Sequence, residues 1–185
     1  TDEQLVALWR DQGQQSALAD LANRYLCQFY GTARAMLLGP SEAEEIAQET
    51  MLKVIRSIET YNDRWSFRTW TYTILLNTIR TEHRRAQSRN RFVSSSAVEQ
   101  AAGSIDSHEE QVIARELKEC IERAIEKLTE KQRTAFVMML IEGLSAIDVA
   151  KIEGCSVDAI YQRVTEARKS LRNEPSLQQF WNDTL

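Results

Sequence analysis

Glycine and proline are scarce, 6 and 2 in a chain of 185 residues. A sandwich or barrel of many short strands needs more turn-formers, so long helices with short connections are predicted. Cysteine is also rare. Cys27, Cys120 and Cys155 are odd in number, far apart and without a Cys-x-x-Cys pair. That pattern excludes a disulfide framework and a cysteine-rich zinc site, and it fits a reducing cytoplasm. Two histidines, His83 and His108, are too few for a histidine-rich catalytic metal site. No apolar run approaches the roughly 18 residues that suggest a membrane span, so no membrane insertion is expected. Asp2 and Glu3 carry the wrong charge for the opening of a signal peptide. There is no Ser-His-Asp set and no glycine-rich phosphate loop. The neighbouring carboxylates Glu44 and Glu49 sit on an exposed helix, a poor catalytic pocket. An enzyme is therefore not expected, nor a cofactor or bound metal.

What is present favours a folded, mostly helical protein. Hydrophobic residues make up 43% and charged residues 27%, enough for a packed core. The formal net charge is −4, which taken alone argues against nucleic acid. Its distribution matters more. Arg80, Arg84, Arg85, Arg89 and Arg91 are clustered and opposed within that stretch only by Glu82. An acidic protein with one concentrated basic patch differs from an evenly acidic one.

Helical punctuation recurs along the chain. Helices are predicted at 2–12, 15–37, 42–60, 67–90, 108–127, 130–142, 146–152, 157–171 and 176–183. Capping boxes are predicted at Ser41/Glu44, Ser107/Glu110 and Thr129/Gln132, with Ser145/Asp148 a weaker variant. Residues 93–107 are small and polar with little periodicity, a linker composition. The predicted architecture is all-α. Two small helical domains, 1–91 and 108–185, are joined by a flexible linker at 92–107; a long surface loop within one domain is the alternative.

The helix at 42–60 has two faces. Ala47, Met51, Val54, Ile55 and Ile58 recur at helical spacing and are assigned to the core. Glu42, Glu45, Gln48, Glu49, Leu52 and Arg56 line the other side, either as solvated surface or as an acidic docking stripe for a basic partner. The following segment holds Tyr61, Trp65, Phe67, Trp70 and Tyr72, and Ser66 can cap the next helix. On that helix Trp70, Asn77 and Arg84 are each one heptad apart, with Arg80 beside the line. Phe67, Ile74 and Thr78 point inward. An aromatic, an amide and several guanidinium groups on one side suit unstacked nucleic acid: rings stack on bases, amides meet base edges and arginine neutralises phosphate. The plainer alternative is packed aromatics and solvated arginines.

The second half carries a sharper pattern. A short helix ends at Gly154 and Ser156 caps a longer one. Ala150, Gly154 and Ile160 have helix-turn-helix spacing: the alanine permits close approach, the glycine a left-handed turn, and the isoleucine plugs the interface. Three-helix bundles with a glycine turn share this spacing. Val157, Ile160, Val164, Ala167 and Leu171 form the inner face. Asp158, Gln162, Thr165, Glu166 and Lys169 face outward with Tyr161 at their margin, and Arg163 and Arg168 flank them as phosphate anchors.

The segments Ala43–Thr50, Ser66–Trp70, Asn77 with Arg84 and Arg85, and Leu128–Arg133 through Glu142–Ser145 to Ala167–Arg172 together resemble one family. The chain resembles bacterial RNA polymerase sigma factors of the compact extracytoplasmic-function (ECF, group 4) type. The resemblance implies a region 2-like bundle and a region 4-like helix-turn-helix. It implies that Glu44, Glu45, Gln48 and Glu49 dock on core RNA polymerase, at its beta and beta-prime subunits. It implies that the minus-ten promoter element is held by Tyr61, Asn62, Trp65, Trp70, Asn77, Arg80, Arg84 and Arg85, with a flipped base near the 61–67 loop and Asn77. It implies minus-thirty-five contacts by Ser156, Asp158, Tyr161, Gln162, Arg163, Thr165, Glu166, Arg168 and Lys169. Promoter DNA and an anti-sigma factor, often membrane-anchored, are the further implied partners. Glu166 departs from the basic residues many relatives carry on this helix; it repels phosphate or accepts from a cytosine amino group. Trp65 is unusually bulky for its loop. A polymerase-independent helix-turn-helix regulator is the competing reading.

Overall fold

A computed structural model describes residues 1–92 and 120–175, and for 87–92 the helical backbone only. The predicted linker, the capping box at Ser107/Glu110, the start of the helix at 108–127, the helix at 176–183 and the side chains of Arg89 and Arg91 lie outside the described residues. The chain divides into two compact units, one comprising Thr1–Arg34 and Leu38–Glu99, the other taking in Gln100–Leu185. No strand occurs among the described residues.

The first unit is built on a four-residue apolar rhythm. Helix α1 (Asp2–Gln12) is capped by Thr1, whose hydroxyl accepts from Gln4 N, and stops at Gly13 in a left-handed turn at φ 66°. Thr1-x-x-Gln4 is a capping box that the sequence reading passed over. Helix α2 (Gln15–Ala35) buries Ala17, Leu21, Tyr25 and Phe29, one per turn. Helix α3 (Pro40–Ser57) does not begin at a Ser41/Glu44 box. Gly39 is its cap, Pro40 enters the first turn with its preset φ, and Glu42 reaches back to Gly39 N at 3.1 Å. Its inner face is Ala43, Ile46, Ala47, Thr50, Met51 and Val54, wider than expected. A 3-10 turn (Ile58–Thr60) closes it.

Helix α4 (Phe67–Phe92) is unusually rich in threonine, a residue that ordinarily competes with helical backbone. Here the hydroxyls of Thr73, Thr78 and Thr81 each donate to the carbonyl four residues back at 2.8–2.9 Å. That lets Thr78 lie buried against α3 without an unmade bond. Ser66 caps the helix by accepting from Thr69 N at 3.1 Å.

The second unit is smaller and aliphatic. Helix α5 is described over 120–126. Its exposed end is closed by Arg133, which donates to the carbonyls of Ile125, Glu126 and Leu128 at 3.1–3.3 Å. Helix α6 (Glu130–Phe136) begins at the expected Thr129/Gln132 box and runs into a π-helical turn (Val137–Ile141), so the helix predicted at 130–142 changes pitch midway. Helices α7 (Ala146–Glu153) and α8 (Val157–Arg172) are capped by Ser145 and Ser156, and Gly154 between them is left-handed at φ 63°. Ala150 and Ile160 are buried at 5% and 0% exposure, so the helix-turn-helix spacing folds as one.

Candidate functional site

Helix α3 turns its apolar stripe onto α4, which leaves Glu42, Glu44, Glu45, Gln48, Leu52 and Arg56 exposed. Gln48 donates to the Glu44 carboxylate at 3.3 Å, one helical turn apart. Glu49 stands apart from this group. It is half-buried and paired at 2.8 Å with Lys53, whose ammonium also donates to Thr78 on α4 at 3.0 Å. Its carboxylate is therefore neutralised within the unit, whereas those of Glu44 and Glu45 face outward.

The segment after α3 is held from below by rings. Tyr61, 5% exposed, lies 5.4 Å from Phe67 and 5.3 Å from Trp70 between ring centroids. Burial pushes its phenol up to about 12, and the protonated hydroxyl donates to the Trp65 carbonyl at 3.1 Å. Tyr61, expected among the residues that hold the minus-ten element, thus turns its ring inward. The Tyr61 ring is packing, because three aromatics converge where the loop enters α4. Trp65 and Trp70 are half-buried, while Asn62, Asn77, Arg84 and Arg85 are exposed and Arg80 is half-buried. Arg84 folds along the helix, donating to Arg80 O at 3.2 Å, and Arg85 lies 3.7 Å from Glu82. Asp63 takes a left-handed φ of 43° at the loop tip.

Two residues on α1 hold this loop at its ends, and the sequence reading gave neither a part in the site. Arg10 donates to Tyr61 O at 3.4 Å, and Glu3 accepts from Phe67 N at 3.3 Å, at the start of α4. A carboxylate on the first helical amide is the favourable sign for a helix N-terminus. Asp2 accepts from both Tyr25 and Arg24, fastening α1 to α2. Burial and the Asp2 contact push the Tyr25 phenol far above its ordinary value. Contacts more than 50 positions apart leave no local sequence signal.

On α8 the outward face is Asp158, Tyr161, Gln162, Thr165, Glu166, Arg168 and Lys169, all exposed. Tyr161 keeps 55% of its surface. Ser156 spends its hydroxyl on the cap, accepting from Ala159 N at 3.2 Å. Arg163, expected to flank that face as a phosphate anchor, turns inward instead. Its side chain, 18% exposed, donates to Glu153 at 3.1 Å, and that carboxylate is 3% exposed. The pair bolts α8 to α7, because position 163 turns toward the preceding helix. Glu166 receives Gln132 Nε2 at 3.0 Å and Gln162 Nε2 at 3.1 Å, and these two donors hold its carboxyl below the usual range.

Similarity to known proteins follows the same two units. Residues 21–89 match Sigma-70 region 2 and residues 118–171 match Sigma-70, region 4. The ECF RNA polymerase sigma factor EcfG of Rhodopseudomonas palustris is 32% identical over 133 residues, 70% of this chain and 68% of that protein. The chain belongs to the ECF family of RNA polymerase sigma factors. The ECF RNA polymerase sigma-E factor of Haemophilus influenzae is 28% identical over 181 residues, 94% of this chain and 95% of its relative. The sigma factor RpoE from Bartonella quintana, solved with the anti-sigma factor NepR, has the same fold: TM-score 0.67, 23% identity, 86% of this chain and 96% of that one. Region 2 of this sigma factor spans α2 from residue 21, α3 and the described side chains of α4, whereas α1, with Glu3 and Arg10, lies outside the match. Region 4 includes α6, the π turn, α7 and α8. Among the described residues of this sigma factor, no helix is long and apolar enough to cross a membrane.

Proposed function

We propose that this ECF sigma factor docks on the beta and beta-prime subunits of core RNA polymerase through α3, acting in the cytoplasm, and directs the enzyme to promoters. Glu44, Glu45 and Gln48 offer an exposed acidic stripe to a basic partner, with Leu52 as an apolar contact among them. Glu49 contributes after exchanging Lys53 for that partner. Residues 1–91 hold the minus-ten element, 108–185 the minus-thirty-five element, and 92–107 join them.

Asn62 and Asn77 supply amides and Arg80, Arg84 and Arg85 supply charge to the separated strand. The exposed parts of the Trp65 and Trp70 rings offer stacking surface, and Tyr61 supports Trp70 from beneath. Flipping a base costs about a few kcal/mol, and stacking it on an aromatic face returns about 1–3 kcal/mol. On the duplex, α8 presents Asp158, Tyr161, Gln162, Thr165, Glu166, Arg168 and Lys169, with its capped N-terminus at Ser156 beside the backbone. A net charge of −4 keeps non-specific DNA affinity low. Two modest sites then act together once polymerase sets their spacing. An anti-sigma factor controls access to these faces, a reading supported by the shared fold with a sigma factor solved in such a complex.

The observation that carries this reading is the pair of exposed polar faces on separate units, Asn77–Arg84–Arg85 on α4 and Asp158–Lys169 on α8. The experiment is in vitro transcription with purified core polymerase. Promoter-specific initiation that depends on this chain is expected. Glu45→Lys weakens core association with an unchanged circular-dichroism spectrum, and Asn77→Ala impairs opening more than core binding. A folded chain that fails to bind core polymerase sinks the proposal.

A further inference from the structure

Glu166 is an odd residue for a helix that faces DNA, since a carboxylate there repels phosphate. The structure shows how it is held. Gln132 donates to Oε2 from α6, 34 positions earlier, and Gln162 donates to Oε1 from one turn before on α8. The direction of the Gln132 amide is itself determined. Its Oε1 accepts from Thr129 N at 3.0 Å in the α6 capping box, so its NH₂ has to point away from the cap, toward α8. A helix cap thereby aims a carboxylate 34 residues along the chain.

Held this way, Glu166 keeps acceptor capacity on both oxygens and has no proton to give. Two amide donors favour its ionised form. An acceptor-only group pairs with donors alone. In the major groove the base-edge donors are the amino groups of cytosine N4 and adenine N6; guanine N7 and O6 and thymine O4 are acceptors that it repels.

We infer that Glu166 sets promoter specificity by accepting a hydrogen bond from the exocyclic amino group of one base, cytosine or adenine, and that Gln132 is the positioning residue that aims it. This rests on the reading of α8 as the helix that faces the minus-thirty-five duplex. Gln132 itself touches no base. Its contribution is to remove the rotamer freedom that an exposed glutamate otherwise keeps, so less ordering remains when DNA arrives.

The test presents holoenzyme, core polymerase carrying the full chain, with duplexes randomised across the minus-thirty-five stretch, and sequences the bound pool. One base pair is expected at which the wild type discriminates about tenfold and both Glu166→Ala and Gln132→Glu do not. Gln132→Glu preserves the capping box, because a glutamate oxygen still accepts from Thr129 N, but it has no N–H for Glu166. Thermal melting of that variant is expected to remain a single cooperative transition lowered only slightly, by the lost exposed contact to Glu166, which separates aim from folding. The amino group is then deleted at the same pair, with pyrimidin-2-one in place of cytosine or purine in place of adenine. The wild type loses about tenfold in affinity with one of these analogues, which identifies the base, and Glu166→Ala loses nothing further. Equal losses in both proteins overturn the inference. So does a preference profile unchanged in Glu166→Ala. A pool with no preference anywhere in the stretch overturns the reading of α8 as well, so the two failures are distinguishable.

Discussion

In the first unit, the rings of Tyr25, Phe29, Tyr61, Phe67, Trp70 and Tyr72 form a continuous network with centroid separations of 5.3–6.0 Å beneath the loop and helix that carry Asn62 and Asn77. In the second unit, no aromatic side chain among the described residues is buried; its core is aliphatic, with Leu128, Val137, Met138, Val149, Ile160 and Val164 among its buried residues. There, polar devices orient the outward face: caps at Thr129, Ser145 and Ser156, the left-handed Gly154, the Arg163–Glu153 pair and the Gln132–Glu166 contact. Large rings give area and edge-to-face geometry, so they fix a loop by packing. A small aliphatic core has less area to offer, and local hydrogen bonds take over its orientation. The first face should therefore be sensitive to truncation of its core, and the second to loss of single polar contacts.

The largest expected effect breaks the ring network. Phe67 is 1% exposed and touches Tyr25, Tyr61 and Trp70. Phe67→Ala is expected to cost about 3–5 kcal/mol in urea unfolding. Amide exchange should rise across the first unit and stay unchanged in α6–α8; a cost below about 1 kcal/mol would remove the contrast between the units.

Arg163→Ala is expected to cost about 1–3 kcal/mol, since it removes a charged hydrogen bond between two largely buried side chains. The DNA-affinity loss in this variant should follow its loss of stability, and Arg163→Lys should recover part of both. Undiminished stability with weakened DNA binding would return Arg163 to the role of phosphate anchor. Gly154→Ala sharpens the same point. An added Cβ meets nothing within 4 Å, so the expected cost of about 1–2 kcal/mol is purely that of a left-handed backbone. Ser156→Ala, which removes the α8 cap, should cost about 1 kcal/mol by thermal or urea denaturation.

The smallest effect is a pH dependence. The Glu166 carboxyl is lowered by its two amide donors. The stability they contribute is therefore present above the ordinary carboxylate value and lost as pH falls through the lowered one. NMR titration of the Gln132 side-chain NH₂ should show it moving in that acidic window in the wild type and not in Glu166→Ala.

Legibility followed range along the chain. The caps at Thr129, Ser145 and Ser156 and the stop at Gly154 were readable because each is decided within four residues. The start of α3 was misplaced because two overlapping four-residue patterns compete there, and Pro40 decides between them. The inward turn of Tyr61 and Arg163 was not readable, because residue type says what a side chain can do and not which way it turns. Glu3, Arg10 and the second hand of Gln132 were missed because their partners lie 64, 51 and 34 positions away.

Composition and periodicity by themselves determined an all-helical chain in two units, and the outward stripes of α3 and α8 followed from apolar spacing alone, because burying one face of a helix decides the other. Only the tertiary structure decided which polar groups on those stripes are already engaged. It sent Lys53 to Thr78, Arg163 to Glu153 and Gln132 to Glu166, and it placed the Tyr61 ring beneath its loop. Hydrogen bonds and ring contacts need atoms within a few ångströms in space, a condition that separation along the chain does not encode.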